Sequence, residues 1–395
     1  MFSLSDHICY CCGSKGLLNF YDITGIPVHS VLLMPSRETA INYPKGNISL
    51  GYCQKCGFIS NTAFKPEVHE YSSKYEETQG FSPTFNAFSL NLAKRLIEKY
   101  NLNGKDIIEI GCGKGEFLTL LCELGNNRGI GFDPAYVNER MHSKAAERII
   151  FIRDFYSEKY SYHKGDIIIC KMTLEHIQNP FELVSTVRRS IGDQPGTNVI
   201  FQVPDVTRIL KDLAFWDIYY EHCSYFNPGS LARLFRKSGF EVINLTREYD
   251  DQYIYIEVKP ICGKDDLTLT GEDGIKELTQ DVEFFSKNYR RKLNEWKHKL
   301  EIIKQKGGRV VLWGSGSKGV SFLTTLNIQD EIGYVVDINP YRHNTYMAGT
   351  GHEIVAPVFL KEYKPDMVIV MNPVYCNEIE EELKKMGIKP EIITV

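Results

Sequence analysis

The stretch Asp106-Ile-Ile-Glu-Ile-Gly-Cys-Gly-Lys-Gly-Glu-Phe117 decides how the rest of the chain is read. Its first five residues are an apolar, β-branched run that suits a buried strand. Gly111, Gly113 and Gly115 then allow a tight turn, and GEFLTLLCELG (115–125) carries on with helical periodicity. Outward from this unit the pattern repeats. Further strand-like runs appear at GIGF (129–132), RIIFI (148–152), DIIIC (166–170) and NVIFQV (198–203). Amphipathic stretches such as FNAFSLNLAKRLIEKY (85–100) lie around them. Strands alternating with helices predict a doubly wound α/β domain with a parallel sheet. FEVINLTREYD and QYIYIEV, separated by a short polar break, predict a hairpin at the sheet edge.

The glycine spacing narrows the ligand. A dinucleotide loop calls for G-x-G-x-x-G, whereas this one reads G-x-G-x-G after an acid, Glu109. That pattern resembles the class I S-adenosylmethionine-dependent methyltransferases. The resemblance makes Glu109, Gly111, Gly113 and Gly115 the cofactor loop. Asp133 closes the next strand, where a carboxylate can take both ribose hydroxyls. Asp154, after the third strand, is placed for the adenine edge. His176, in KMTLEHIQNP, follows the fourth strand. Ligands of open α/β sheets lie beyond the carboxyl ends of the strands, so His176 is expected to overlook the transferred methyl. A histidine that only caps a helix is the competing reading.

On the N-terminal side, in residues 1–70, Cys9-x-x-Cys12-Gly and Cys53-x-x-Cys56-Gly form two knuckles. Four thiolates in this arrangement predict a structural zinc site with no open coordination position. The gap of about 40 residues exceeds that of a simple ribbon, and a small β-rich insertion containing NISLGY is expected there. Cys11 is read as a free thiol.

On the C-terminal side, residues 261–395 open with an expected helix over about 275–305. Ile275, Leu278, Val282, Phe285, Tyr289, Leu293, Trp296, Leu300 and Ile303 recur at steps of three and four, giving one apolar face. RVVLWGSGSKG (309–319), GYVVD (333–337) and DMVIVM (366–371) predict a smaller Rossmann-like domain. Its loop does match G-x-G-x-x-G, with Asp337 after the next strand. Three readings stand: Gly316, Lys318 and Gly319 contact a phosphate or nucleotide of the substrate, the unit is an empty scaffold, or it holds NAD as a fused dehydrogenase. YMAGTGHEIVAP (346–357) fits a loop able to close over a ligand.

One further stretch, Asp217-Ile-Tyr-Tyr-Glu-His-Cys-Ser-Tyr-Phe226, sets Glu221 and His222 among aromatic residues. A buried acid needs a partner or a task, and a satisfied pair at a helix edge is the plain reading. The whole chain, however, resembles the C-methyltransferases of nucleotide-linked 4-keto-6-deoxy sugars. The two C-x-x-C-G knuckles, EIGCGKGEF, Y-x-E-H-x-S-Y-F and GSGSKG followed by AGTG carry the resemblance, in that order. It implies a zinc-binding region (1–70), a methyltransferase domain (71–260) and a linker helix with a C-terminal Rossmann-like domain (261–395). It implies S-adenosylmethionine and Zn2+ as cofactors and a nucleotide sugar as substrate, in deoxysugar biosynthesis. It makes His222 the general base, with Tyr219, Glu221, His176 and Tyr75 as active-site partners. Glu221 is expected to orient His222 or to contact the sugar. An O-methyltransferase acting on a hydroxyl of a similar substrate is the alternative. The chain departs from the family at YEETQGFSPTF (75–85), at MNPVYCNEI (371–379) and at AGTG, where the substrate is expected to be held.

Composition is that of a soluble globular protein. The 395 residues are 43% hydrophobic and 24% charged, and the net charge of −4 offers no basic field for nucleic acid. No run of about 18 apolar residues points to a membrane span. The start, MFSLSDHICYCC, lacks a basic segment followed by an apolar core, so no secretory signal is expected. Thiols in metal-like pairs suit a reducing cytoplasm. A monomer or homodimer is expected.

Overall fold

A computed structural model of the chain describes residues 3–68, 74–140, 142–194, 196–261, 263, 267–272 and 274–395. The expected boundary at residue 70 falls at 69–73, outside the described residues. Among these residues three β-sheets form.

The central sheet grows from the opening unit. Its strands are β5 (Asp106–Ile110), β6 (Arg128–Phe132), β7 (Ile149–Ile152), β8 (Ile167–Lys171), β9 (Asn198–Pro204), β11 (Phe240–Glu248) and β12 (Tyr253–Pro260), numbered in chain order through the molecule. The order across the sheet is β11-β12-β9-β8-β5-β6-β7. β5 to β9 pair parallel, while β12 runs antiparallel to both β9 and β11. Direction reverses at β5, so a crevice opens at its carboxyl end. The expected edge hairpin is β11–β12.

The N-terminal sheet holds β1 (Ser3–Ile8), β2 (Lys15–Pro27), β3 (Lys45–Tyr52) and β4 (Ile59–Asn61). Its fifth strand comes from elsewhere. β10 (Ser224–Tyr225) pairs antiparallel with β4, so a piece of the Tyr219–Phe226 stretch belongs to this sheet. Sequence pattern did not anticipate this, because a two-residue strand carries no periodicity.

The C-terminal sheet has β13 (Val310–Trp313), β14 (Tyr334–Val336), β15 (Thr345–Tyr346), β16 (Glu353–Val355), β17 (Met367–Val370) and β18 (Glu391–Thr394). Its order is β15-β16-β14-β13-β17-β18, with β13 as the reversal point. The helix Ile275–Gln305 joins it to the rest, and its stripe is buried at Leu278, Val282, Phe285, Tyr289, Trp296 and Leu300. Phe285 and Tyr289 meet Tyr21 of β2 edge-on, with ring centroids 5.6 and 5.0 Å apart. Residues of the N-terminal sheet, this helix and the C-terminal sheet thus share one hydrophobic core.

Candidate active site

The loop after β5 is shaped by its neighbours. Gly111 has φ +70°, and a Cβ there would lie 1.9 Å from Thr173 Oγ1. The Gly113 N–H donates to Asp133 Oδ2 at 2.9 Å, and Ala135 N–H to Asp133 Oδ1 at 2.7 Å. Burial pushes the Asp133 carboxyl up. Glu109 is buried, and its Oε2 has no hydrogen-bond partner among the described residues. Burial raises its pKa to about 8, against the pull of Lys171 at the end of β8. An unsatisfied buried acid beside a glycine turn fits a cofactor with a cationic end. Asp154 is on the same wall. It accepts from Tyr160 Oη at 2.6 Å and Phe155 N at 2.8 Å, and it pairs with Lys159. Gly115 differs from the expectation. It is not part of the cavity wall, and a Cβ on it would lie 2.4 Å from the Phe151 ring, so its smallness serves packing.

These residues open into a cavity of about 1220 Å3. Its wall includes Tyr75, His176, Tyr219 and His222, and also Gly316, Lys318 and Gly319 from the loop after β13. The two glycine loops, each at the reversal point of its sheet, therefore face one shared space. They are built alike: Asp337 takes Ser315 N–H at 2.9 Å, as Asp133 takes Gly113 N–H. Lys318 Nζ lies 3.0 Å from Asp217 Oδ1 and donates to Gln252 Oε1 at 3.2 Å, and burial lowers its pKa.

His222 is fully surrounded. Its Nε2 is 2.9 Å from Tyr219 Oη, and its ring meets His176 edge-on at 4.8 Å. Burial, then the nearby Lys318, push its pKa down to about 3, so the imidazole is neutral. The turn is held by Ser224 Oγ, which donates to Ile177 O at 2.6 Å, and by Ser321 Oγ, which donates to Ile218 O at 2.7 Å.

Glu221 does not take the expected place. It accepts from Ser30 N and Ser30 Oγ, both at 2.7 Å, lies 3.8 Å from His29 Nδ1, and is absent from the cavity wall. Adjacent residues in a tight turn point to different sides, and the neighbouring Ser30 draws the carboxylate away. The carboxylate near His222 is instead Glu175, with Oε1 4.0 Å from His222 Nε2. Sequence reasoning passed over Glu175 although it directly precedes His176. It also passed over Asp217 and Gln252, which hold Lys318.

Residues 74–82 run across the cofactor loop. Lys114 Nζ donates to Tyr75 O at 2.7 Å. Glu76 takes Asn339 Nδ2 at 2.9 Å, Gln79 takes Tyr375 Oη at 2.6 Å, and Ser82 Oγ donates to Glu378 at 2.7 Å. The C-terminal unit thereby fixes a segment that borders the other unit's ligand loop.

Away from the cavity, Cys9 Sγ is 3.5 Å from Cys56 Sγ, and Cys12 Sγ is 3.6 Å from Cys53 Sγ. Four thiolates about 2.3 Å from a zinc ion would lie about 3.8 Å apart, so the set fits that metal. Both knuckles close the same way, Gly13 N–H on Cys9 O and Gly57 N–H on Cys53 O, each at 2.8 Å. Cys11 is buried outside this cluster. No helix among the described residues is long and apolar enough to cross a membrane.

Comparison with known proteins adds the following. Residues 85–245 match the model of a methyltransferase domain, and residues 271–390 match that of a C-methyltransferase C-terminal domain. C-methyltransferase NovU of Streptomyces niveus is 23% identical over 395 residues, covering 95% of this chain and 92% of that protein. Ubiquinone biosynthesis O-methyltransferase of Thiobacillus denitrificans is 26% identical over 162 residues, covering 37% of this chain and 68% of that protein. Among solved structures, magnesium protoporphyrin IX methyltransferase of Synechocystis, crystallised with bound SAH, is 18% identical over 45% of this chain and 84% of that one, with a TM-score of 0.36. At that score the strand order carries the fold assignment, and the overlay does not.

Proposed function

Because the chain belongs to the S-adenosylmethionine-dependent C-methyltransferases, we propose that it methylates a carbon beside the ketone of a nucleotide-linked keto-deoxysugar. The observation that carries this reading is the single cavity shared by both glycine loops. One loop suits the methyl donor. The other, with Lys318, suits the diphosphate of a sugar nucleotide. In this reading residues 1–70 hold a structural zinc through Cys9, Cys12, Cys53 and Cys56. Residues 71–260 bind the donor, and 261–395 hold the substrate's nucleotide.

When bound, S-adenosylmethionine supplies an electrophilic methyl that needs no activation. The chain's own work lies on the acceptor. A sugar C–H is inert unless a neighbouring carbonyl can take up its electrons. His222 removes the proton at that carbon, and the C–H electron pair moves into an enolate whose charge rests on the ketone oxygen. Tyr219 and His176 hold that oxygen. Glu109 and Asp133 would hold the donor, with Asp154 at its adenine end, so that its methyl is presented to the acceptor carbon. The enolate's electron pair would form the new C–C bond as the methyl–sulfur bond breaks with its pair left on sulfur; the ketone is restored, and His222 returns its proton to water. Tyr75 is part of the same cavity wall.

Two findings favour carbon over oxygen. The O-methyltransferase relative covers 37% of the chain, whereas the C-methyltransferase relative covers 95% of it. The unit bearing the second glycine loop also matches a C-methyltransferase domain, which speaks against a fused dehydrogenase.

The test is mass spectrometry of a 4-keto-6-deoxy nucleotide sugar incubated with the enzyme in D2O, with and without S-adenosylmethionine. Deuterium uptake beside the ketone without donor, and a carbon-bound methyl with it, are expected. His222→Ala should lose both by about 100-fold or more, while the donor still raises its melting temperature. A methyl on oxygen without exchange would replace the proposal with the hydroxyl reading.

A further inference from the structure

Glu175 is a buried acid for which neither the fold nor the reaction outlined above has a use. It sits in the turn Leu174–His176 after β8, is 1% exposed, and lines the cavity. Neither of its carboxyl oxygens makes a hydrogen bond to another of the described residues. A buried carboxyl in that state costs stability and calls for an explanation. Its backbone is tied to the segment that carries His222, because Cys223 Sγ donates to Glu175 O at 3.8 Å and Ser224 Oγ to Ile177 O at 2.6 Å. The two turns are thus held in one register, with Glu175 Oε1 4.0 Å from His222 Nε2.

The groups facing Glu175 are few. Cys170 of β8, Tyr253 of β12, Tyr219 and Cys223 interact with it electrostatically, and none of them becomes a cation. His222 and His176 remain. Among these described residues the positive charge beside the carboxyl arises when an imidazole takes up a proton, and the nearby Lys318 opposes that charge on His222. Proton abstraction by His222 makes that charge, in a place where burial opposes it.

We propose that Glu175 is the positioning residue for the base, its carboxylate stabilising the imidazolium that His222 becomes when it takes the substrate proton. The inference rests on the reading of His222 as base. The proton passes from the substrate carbon to the His222 imidazole, the C–H electrons enter the enolate, and the carboxylate, 4.0 Å from Nε2, balances the new charge. The working form therefore pairs neutral His222 with ionised Glu175. Burial holds the Glu175 carboxyl up at about 8. It is largely protonated at neutral pH, and the working form grows in as pH rises through that value.

The experiment is donor-free deuterium exchange on a 4-keto-6-deoxy nucleotide sugar from about pH 6 to about pH 10, with wild type, Glu175→Gln, Glu175→Asp and His222→Ala. Exchange by the wild type should rise with pH and level off above about pH 8. Glu175→Gln should be about 100-fold slower at the plateau and lack the rise. Glu175→Asp should recover part of the rate and restore a pH-dependent limb. All variants should keep the donor-induced gain in melting temperature. If Glu175→Gln does not fold, the profile of Glu175→Asp decides.

Wild-type rate and profile in Glu175→Gln would overturn the inference. Exchange surviving in His222→Ala would instead remove the base reading on which it rests. A readout free of any substrate is the 15N resonance of His222. It should shift with the ionisation of Glu175 in the wild type and stay flat in Glu175→Gln; a flat wild-type trace overturns the pairing. Exchange that depends on an added divalent cation would overturn it too. Glu175, His176 and His222 have ligand atoms within 4.8 Å of one another, and they would then act as metal ligands.

Discussion

Asp133 shows what one side chain does for the cofactor loop. Each oxygen already accepts one backbone N–H, from Gly113 and Ala135, and each keeps a lone pair for a ribose hydroxyl. Asp133→Ala is expected to remove the proposed ribose contacts and to loosen the loop together. Hydrogen bonds to charged groups are worth about 2 kcal/mol, so calorimetry should show S-adenosylmethionine binding weakened by about 30-fold. An unchanged Kd would place the ribose elsewhere. Residues of this kind were legible in the sequence, because an acid at the end of the second strand has a place fixed by topology. The Glu221–His222 pair was legible only as chemistry. That YYEHCSYF groups residues able to do chemistry could be read, but which of two adjacent side chains faces the cavity depends on backbone rotation, and Glu221 is held away by Ser30, some 190 residues earlier in the chain.

At the scale of elements, the glycine turn separates contact from packing. Gly115 has φ +83°, and an added Cβ would meet Phe151 Cζ at 2.4 Å. Phe151 is stacked on Tyr136 with centroids 4.0 Å apart, so it has little room to yield. Gly115→Ala should therefore cost about 1–3 kcal/mol of stability through strain and overpacking. A lower melting temperature with a nearly unchanged donor Kd is the expected pair of results. A Kd rising severalfold at unchanged stability would return Gly115 to the ligand-contacting set. Alternation of apolar runs and turns made β5 to β9, the β11–β12 hairpin and the stripe of helix Ile275–Gln305 readable, because each is a local pattern. The pairing of Ser224–Tyr225 with Ile59–Ser60 was not readable. Neither was the meeting of the two glycine loops, since both depend on contacts far apart in sequence.

At the scale of the whole molecule, that short pairing links the cysteine knuckles to the segment that carries His222. Ser60 and Ile59, just beyond the Cys53–Cys56 knuckle, pair with Ser224 and Tyr225, and Asn61 N–H donates to Cys223 O at 2.9 Å. Arg233 Nε donates to Cys56 O at 3.0 Å, and Phe58 packs on Phe226 with centroids 5.3 Å apart. The knuckle thus borders the segment holding His222, while the donor loop hangs from β5 in a different sheet. Zinc loss should then act on catalysis before it acts on cofactor binding. Chelation, or Cys53→Ser, is expected to lower zinc from one per chain and to depress the melting temperature. A displacement of His222 on the order of 1 Å would cut turnover by about 100-fold. Donor affinity, measured on the fraction still folded, should change far less. Metal-free protein with full turnover would show that the knuckles only complete the N-terminal sheet; donor affinity falling in step with turnover would show that the whole core had loosened, and the route through Ser224–Tyr225 would fail.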